Sequence, residues 1–403
     1  MMRARERCHT HHVTHRDPLT TVELEVQRRR RDLLELSHSL HAEPELAFQE
    51  HRSCAKTQAL AAERGFEIAS AAGGLDTAFR AVYGAGSLVL GICAEYDALP
   101  ELGHACGHNI IAAAGVGTAL ALAEVADALD LTVVLIGTPA EEAGGGKALL
   151  LDAGVFDDLA AAAMIHPGPR DIACPRSLAL SDVEVDYTGR EAHAAVAPYA
   201  GLNAADAATV AQVGIGLLRQ HLAPGQMVHG IVTEGGQAAN VIPAHARMRY
   251  IMRADSTPSL DALRERVSAC LRAGAIATGC EFTMADTEPR YLDLTPDAWL
   301  SNVFHDEMVR LGREPVTAQE AANSPFGSTD MGNVSQMMPA IHPIVGVDAQ
   351  GASIHQAAFA RAAAGPSGDA AVVDGSVMLA RTLVRLAQSD QRDRLRELAA
   401  QRM

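Results

Sequence analysis

Cysteine, histidine and glutamate at short spacings are the residues of this chain best suited to hold a metal ion and to move a proton. Cys106 and His108 lie two apart in Gly103-His104-Ala105-Cys106-Gly107-His108-Asn109. In a locally extended segment their side chains fall on one side and reach one ion or a close pair. Thiolate and imidazole both suit Zn²⁺, although a lone Cys-x-His also describes a buried thiol beside a helix-capping loop. In Thr138-Pro139-Ala140-Glu141-Glu142-Ala143-Gly144-Gly145-Gly146, two adjacent carboxylates follow an apolar run. Neighbouring carboxylates point in different directions, so one can ligate a metal while the other serves as general base; a solvated pair ahead of a glycine turn fits the same residues. The glycine run lacks the ending of a phosphate loop, because Ala148 follows Lys147. His166, at the end of a short apolar run, and His355, in Ser353-Ile354-His355-Gln356 far downstream, read singly as turn or capping histidines. Jointly, Cys106, His108, Glu142, His166 and His355 place five donors at loop positions after predicted strands of one sheet. That exceeds a mononuclear site and suits two ions sharing a bridge.

These donors need a scaffold, and the hydrophobic pattern supplies one. Residues 21–64 read as helical, with Val22, Leu24, Leu33, Leu34, Leu36 and Leu40 at mostly helix-compatible steps. Short apolar runs at 77–83, 88–94, 131–137 and 160–165 then alternate with helical stretches at 110–129 and 147–153. This order predicts a three-layer α/β/α domain around a largely parallel sheet. From Leu178 the texture becomes β-α-β-β-α-β, the order of a ferredoxin-like α+β sandwich, until about residue 286. The α/β texture resumes after Thr295. The expected organisation is therefore a catalytic domain in two parts, residues 1–177 and 292–403, with an inserted domain at 178–291 and a flexible tail over 1–20. Hinges are expected near 176–180 and 288–295.

Composition narrows the function. The chain has 403 residues and a formal charge of −16, which opposes binding to nucleic acid. The longest nearly uncharged apolar stretch, 110–123, falls short of the roughly 20 residues of a membrane span. Seven cysteines at irregular intervals disfavour a disulfide framework. The first sixteen residues carry Arg and His without an apolar core, so a cytoplasmic location is the expectation. The His9, His11 and His12 cluster reads as a solvated tail.

Glu95-Tyr96-Asp97-Ala98-Leu99-Pro100 and the following Gly-His-Ala-Cys-Gly-His-Asn segment resemble the dinuclear metal amidohydrolases that include aminoacylases, carboxypeptidase G and aminobenzoyl-glutamate hydrolase. The similarity runs from His41-Ala42-Glu43-Pro44-Glu45 to His355 and is greatest to the branch of aminobenzoyl-glutamate hydrolase-like and β-alanyl-lysine dipeptidase-like proteins. It implies a hydrolase for the amide bond of a small N-acyl or aminoacyl amino acid with a free carboxylate. Cys106, His108, Glu142, His166 and His355 would ligate two Zn²⁺ or Mn²⁺ ions, Glu141 would be the general base, and Asp97 would orient a ligand. His193, in Gly189-Arg190-Glu191-Ala192-His193-Ala194, would stabilise the oxyanion across a homodimer interface formed by the inserted domain. Asn240 and Arg253 would hold substrate, the arginine by its α-carboxylate. Gly327-Ser328-Thr329-Asp330 matches a loop near the metals, and Glu95 stands where more distant relatives have a ligating histidine. A partner-dependent binding subunit on the same scaffold is the alternative, which an intact Glu141 argues against. A cysteine-nucleophile amidase built on Cys106 and His108 would leave Glu142, His166 and His355 without a role.

Overall fold

In the computed structural model, residues 16–322 and 327–402 are described. The histidine cluster at 9–12 lies outside them. Two helices open the chain, α1 (Pro18–Ala42) and α2 (His51–Arg64). Helix α1 starts within the stretch expected to be a tail, because Pro18 is preset for the first turn and the Asp17 carboxylate accepts the Thr20 N–H. The stretch read as helical over 21–64 is two helices, parted after Ala42. Pro44 biases Glu43 away from helical backbone, and Glu43 takes φ −129°.

Next come β1 (Glu67–Ser70), β2 (Phe79–Tyr83), β3 (Leu88–Ala94), α3 (His108–Ala123), α4 (Ala126–Leu129), β4 (Leu131–Gly137), α5 (Gly146–Asp152), β5 (Ala161–Ala163) and β6 (His166–Gly168). An intervening unit holds β7 (Ala179–Thr188), α6 (Ala204–Leu218), β8 (Met227–Glu234), β9 (His245–Ala254), α7 (Thr257–Thr278) and β10 (Glu281–Asp286). The chain then forms α8 (Ala298–Arg310), α9 (Ala318–Ala322), α10 (Met331–Met337), β11 (Ala340–Ile341), β12 (Ile344–Gly346), α11 (Ala357–Ala363), α12 (Pro366–Ala387) and α13 (Gln391–Arg402).

The first sheet has the order β1-β2-β4-β3-β5-β11. The pairs β4–β3, β3–β5 and β5–β11 are parallel, whereas β2 runs antiparallel to both β1 and β4, so the sheet is mixed. Both faces are covered, as the continuous apolar runs of β3 and β4 require. Leu90, Ile92, Val133 and Leu135 face one core with α1, α3 and α12, while Cys93, Val134 and Ile136 face another with Leu150, Met331 and Val334. This period-2 division yields three layers.

In the intervening unit, β10-β7-β9-β8 form an antiparallel sheet with its own core against α6 and α7. Alternation along β9 sends Met248, Tyr250 and Met252 into that core and Arg249, Ile251 and Arg253 to the other face.

Candidate metal centre

Each donor is delivered by the end of a core element. Gly107, with φ +82°, opens α3, and a Cβ there would lie 2.5 Å from Pro167 Cγ. Only glycine permits this approach of the Cys106–His108 segment to the strand bearing His166. After β4 the chain turns back at Gly146, where a Cβ would meet the Pro139 carbonyl at 1.9 Å. The glycine run thus serves a tight turn that presents Glu141 and Glu142. His166 is not in a loop after the first sheet but within β6, which pairs in parallel with β12 as a separate two-stranded sheet. His355, at φ +63°, is fixed by its N–H bond to the Ala105 carbonyl at 2.9 Å.

The five donors converge. Cys106 Sγ lies 3.5 Å from His166 Nε2, His355 Nε2 lies 3.4 Å from Glu142 Oε1, and His108 Nε2 lies 3.9 Å from the same oxygen. Donor atoms of Cys106, His108 and His166, and those of Cys106, Glu142 and His355, lie within 4.8 Å of one another in each group. Cys106 belongs to both groups, the arrangement expected where two ions share a neighbourhood. Buried His108 Nε2 and Glu142 Oε1 have no hydrogen-bond partner, and a cation between them would satisfy both. The residues therefore fit a pair of divalent ions. Burial, reinforced by Glu142, pushes the Cys106 thiol well above its ordinary range, so the thiolate needs a nearby cation.

Asp97 braces this cluster. Its Oδ1 is 2.9 Å from His108 Nδ1 and its Oδ2 accepts the Glu142 N–H at 2.9 Å, so one carboxylate sets two donors. Burial opposes its charge, but His108 outweighs that cost and holds Asp97 below the usual range. Burial also raises the Glu141 carboxyl well above its ordinary value, aided by the charges of Glu95 and Glu142. A carboxylate whose charge is disfavoured in this way accepts a proton more readily than a solvated one, as a general base must.

Several neighbours escape a reading of sequence alone. Lys147 is fully buried, pairs with Glu95, and meets Asp330 Oδ1 at 2.7 Å. Burial disfavours its charge, yet the Asp330 and Glu95 carboxylates hold it well above the ordinary range. The one available signal is a lysine in the first turn of α5, where the helix dipole disfavours a cation. Glu95 Oε2 remains 3.5 Å from His108 Nε2. Glu50 accepts the Ala140 N–H at 2.9 Å and is pushed up to about 7 by burial and the charge of Asp97. His342 is buried beside His166, and burial lowers it to about 3.

A cavity of about 450 Å³ joins the donors to the intervening sheet. Cys106, Glu141, Glu142, His166 and His355 form one wall; Asp182, Arg249, Arg253, Glu288 and Tyr291 contribute to the other. Arg253 Nη1 donates to Ser328 Oγ at 2.7 Å. Tyr291 donates from its hydroxyl to the Glu141 carbonyl and accepts the Gly145 N–H, tying the two walls together. His193 and Asn240 do not line the cavity. Both are exposed on the intervening unit, where the Ala194 N–H meets the Asn240 carbonyl at 3.0 Å.

This fold and donor set define a metallohydrolase of small substrates, and comparison supplies the family. Residues 91–383 match Peptidase family M20/M25/M40. The chain is 39% identical over 335 residues to the Xaa-Arg dipeptidase of Mus musculus, covering 78% of this chain and 77% of that protein. It is 29% identical over 322 residues to one of the p-aminobenzoyl-glutamate hydrolase subunits of Escherichia coli (strain K12), covering 74% of this chain and 66% of that protein. A Bacillus subtilis protein described as a dinuclear metal binding peptidase from the M20 family has the same fold, with TM-score 0.66, 24% identity and coverage of 89% and 99%. The chain belongs to peptidase family M20/M25/M40. It is a metal-dependent hydrolase acting on the C–N bond of small substrates.

Proposed function

We propose that this hydrolase cleaves the amide bond of an N-acyl or aminoacyl amino acid that carries a free carboxylate. The reading rests chiefly on one observation: the converging donors Cys106, His108, Glu142, His166 and His355, four of which line a cavity, face the Arg253 guanidinium across it. Two divalent ions, Zn²⁺ or Mn²⁺, would supply a water acidic enough to ionise near neutrality and polarise the scissile carbonyl. Glu141 removes the proton from the attacking water and returns it to the leaving amine. Arg253 grips the carboxylate by charge-assisted hydrogen bonds, Asp97 keeps His108 and the Glu142 backbone in register, and Asn240, on the exposed loop with His193, would reach substrate with it from the partner subunit.

The oxyanion donor is His193 of the partner subunit in a homodimer formed by the unit over 178–291. Strand β8 supports that assembly, since it is an exposed edge of its sheet with Ile231 and Val232 open to solvent, and α6 exposes Val213 and Leu217 nearby in sequence. Motion at 176–180 and 288–295 would bring that histidine to the substrate. All six described cysteines are free thiols, which supports a reducing compartment such as the cytoplasm. No helix among the described residues is long and apolar enough to cross a membrane.

The test is turnover of a panel of dipeptides and acyl amino acids with and without a chelator. Chelation should abolish it and Zn²⁺ or Mn²⁺ restore it; turnover that survives chelation refutes the mechanism. The Escherichia coli relative is named as a subunit, which favours a second arrangement, a binding chain active only beside another. Turnover by the purified chain alone excludes that arrangement.

A further inference from the structure

The peptide that joins Glu141 to Glu142 is pinned at both of its polar ends. Its carbonyl, that of Glu141, accepts from the Tyr291 hydroxyl at 2.7 Å, and its N–H, that of Glu142, donates to Asp97 Oδ2 at 2.9 Å. A trans peptide is planar and carries these groups on opposite sides, so the two bonds together stop it rotating about the line between its α-carbons. That rotation would swing the Glu141 and Glu142 side chains relative to each other. The two carboxylates differ in what else can hold them. Glu142 shares a donor group with Cys106 and His355, so a bound ion would also tether it. Glu141 belongs to neither of the two groups that share Cys106, so its place is set by its backbone. Tyr291 is suited to be a fixed post. It is buried, its N–H donates to the Leu180 carbonyl at 3.0 Å, and its carbonyl accepts the Leu180 N–H at 2.8 Å, which anchors it to β7. Its hydroxyl also accepts the Gly145 N–H at 3.0 Å, and a Cβ on Gly145 would lie 3.0 Å from Tyr291 Cε1. One hydroxyl thus holds both ends of the 141–145 turn.

We propose that Tyr291 is a positioning residue for the general base: its hydroxyl holds the Glu141–Glu142 peptide in the orientation that aims the Glu141 carboxylate at the attacking water. Asp97 secures this peptide from the buried core, and Tyr291 secures it from the intervening unit. Alignment of the base therefore depends on both parts of the molecule. The Tyr291 hydroxyl bonds to backbone groups, so it acts through Glu141 and carries no proton in the reaction. The assignment rests on the reading of Glu141 as general base.

Tyr291→Phe keeps the ring and removes the hydroxyl. Wild type, Tyr291→Phe, Glu141→Gln and the double variant are compared, all metal-loaded, on whichever compound of the dipeptide and acyl amino acid panel wild type cleaves fastest. Rates are normalised to bound metal, which removes any misfolded fraction. Tyr291→Phe should lower kcat by about tenfold or more, as misplacement of a reacting group does, while KM and the Zn²⁺ affinity measured against a competing chelator stay within about twofold. In the Glu141→Gln background, followed over long incubations, the same substitution should cost less than about twofold, because a residue acting through the base has nothing left to align. An equal loss in both backgrounds overturns the assignment, since the hydroxyl would then act on the fold or on the substrate. So does a fall in metal affinity, which would mark a purely structural post. If Glu141→Gln is as active as wild type, the general-base reading fails and takes the assignment with it. The crystal structure of metal-loaded Tyr291→Phe supplies a readout without turnover. Its Glu141–Glu142 peptide should be rotated with Cys106 and His166 in place, and an unrotated peptide overturns the proposal. If wild type cleaves none of the panel, the hydrolase reading fails separately, and this structure decides whether Tyr291 holds the peptide.

Discussion

The donor cluster and the wall opposite it are built differently. His108 and Asp97 are essentially inaccessible to solvent, and they hang from α3 and the end of β3, deep in the three-layer core. Arg253 and Glu288 are only half-buried, and they belong to or adjoin a sheet with its own separate hydrophobic core. The buried half is preorganised: side chains held by packing and by a bracing carboxylate cannot readily move apart. The half-buried wall is tied to it through few links, Tyr291 to Glu141 and Gly145, Glu288 to Gly144, and Arg253 to Ser328. Chemistry and recognition can therefore be perturbed separately, and the proposed substitutions should divide along that line.

The largest effect belongs to the buried half. Glu141→Gln should lower kcat by about 10²–10⁴-fold, the range of general acid–base catalysis, with metal content unchanged by elemental analysis. Normal turnover in this variant would remove Glu141 from the mechanism. Asp97→Asn should weaken metal affinity or activity by about 10–100-fold, because the neutral amide no longer fixes His108 and the Glu142 backbone together. Titration with Zn²⁺ against a competing chelator measures it directly. An unchanged affinity would mean that packing alone sets the donors.

The recognition half should respond in KM. Arg253→Leu should raise KM by roughly tenfold or more for substrates with a free carboxylate, the worth of a hydrogen bond to a charged group. For the corresponding C-terminal amides, the variant and wild type should differ far less. Equal penalties for acids and amides would show that Arg253 organises the Ser328 loop rather than the ligand.

The same division separates what sequence conveys from what it withholds. Cys106, His108 and the Glu141–Glu142 pair stand out by residue type and local spacing, but that spacing alone also fits a buried thiol and a solvated carboxylate pair; only the joint occurrence of five donors and the family resemblance give them roles. Strands β3 and β4 are plain, since both faces of each are covered and each reads as an uninterrupted apolar run. The βαββαβ order is visible through its changes of period. Lys147 is not, because its burial depends on Glu95 and on Asp330, 183 residues away. The antiparallel edge of the first sheet is hidden for a similar reason: pairing direction is a property of where a strand docks. His166 reads as a loop residue because a three-residue strand carries too little periodicity to register.

His193 tests the comparison most finely, because it belongs to neither wall within one chain. If it acts across a dimer, each site draws Glu141 from one subunit and His193 of the partner subunit. His193→Ala and Glu141→Gln homodimers should both be nearly inactive. Dissociating and reassociating the two in equal amounts should recover about one quarter of wild-type activity, since half of the dimers are mixed and each mixed dimer holds one intact site. The recovered turnover should show the wild-type KM, because the restored site has every ligand-binding group. No recovery, with mixed dimers demonstrated by mass spectrometry, would place His193 in its own subunit's site, whereas an active His193→Ala homodimer would place it outside the reaction. Either placement would require the exposed loop bearing His193 to be explained by something other than reach across an interface.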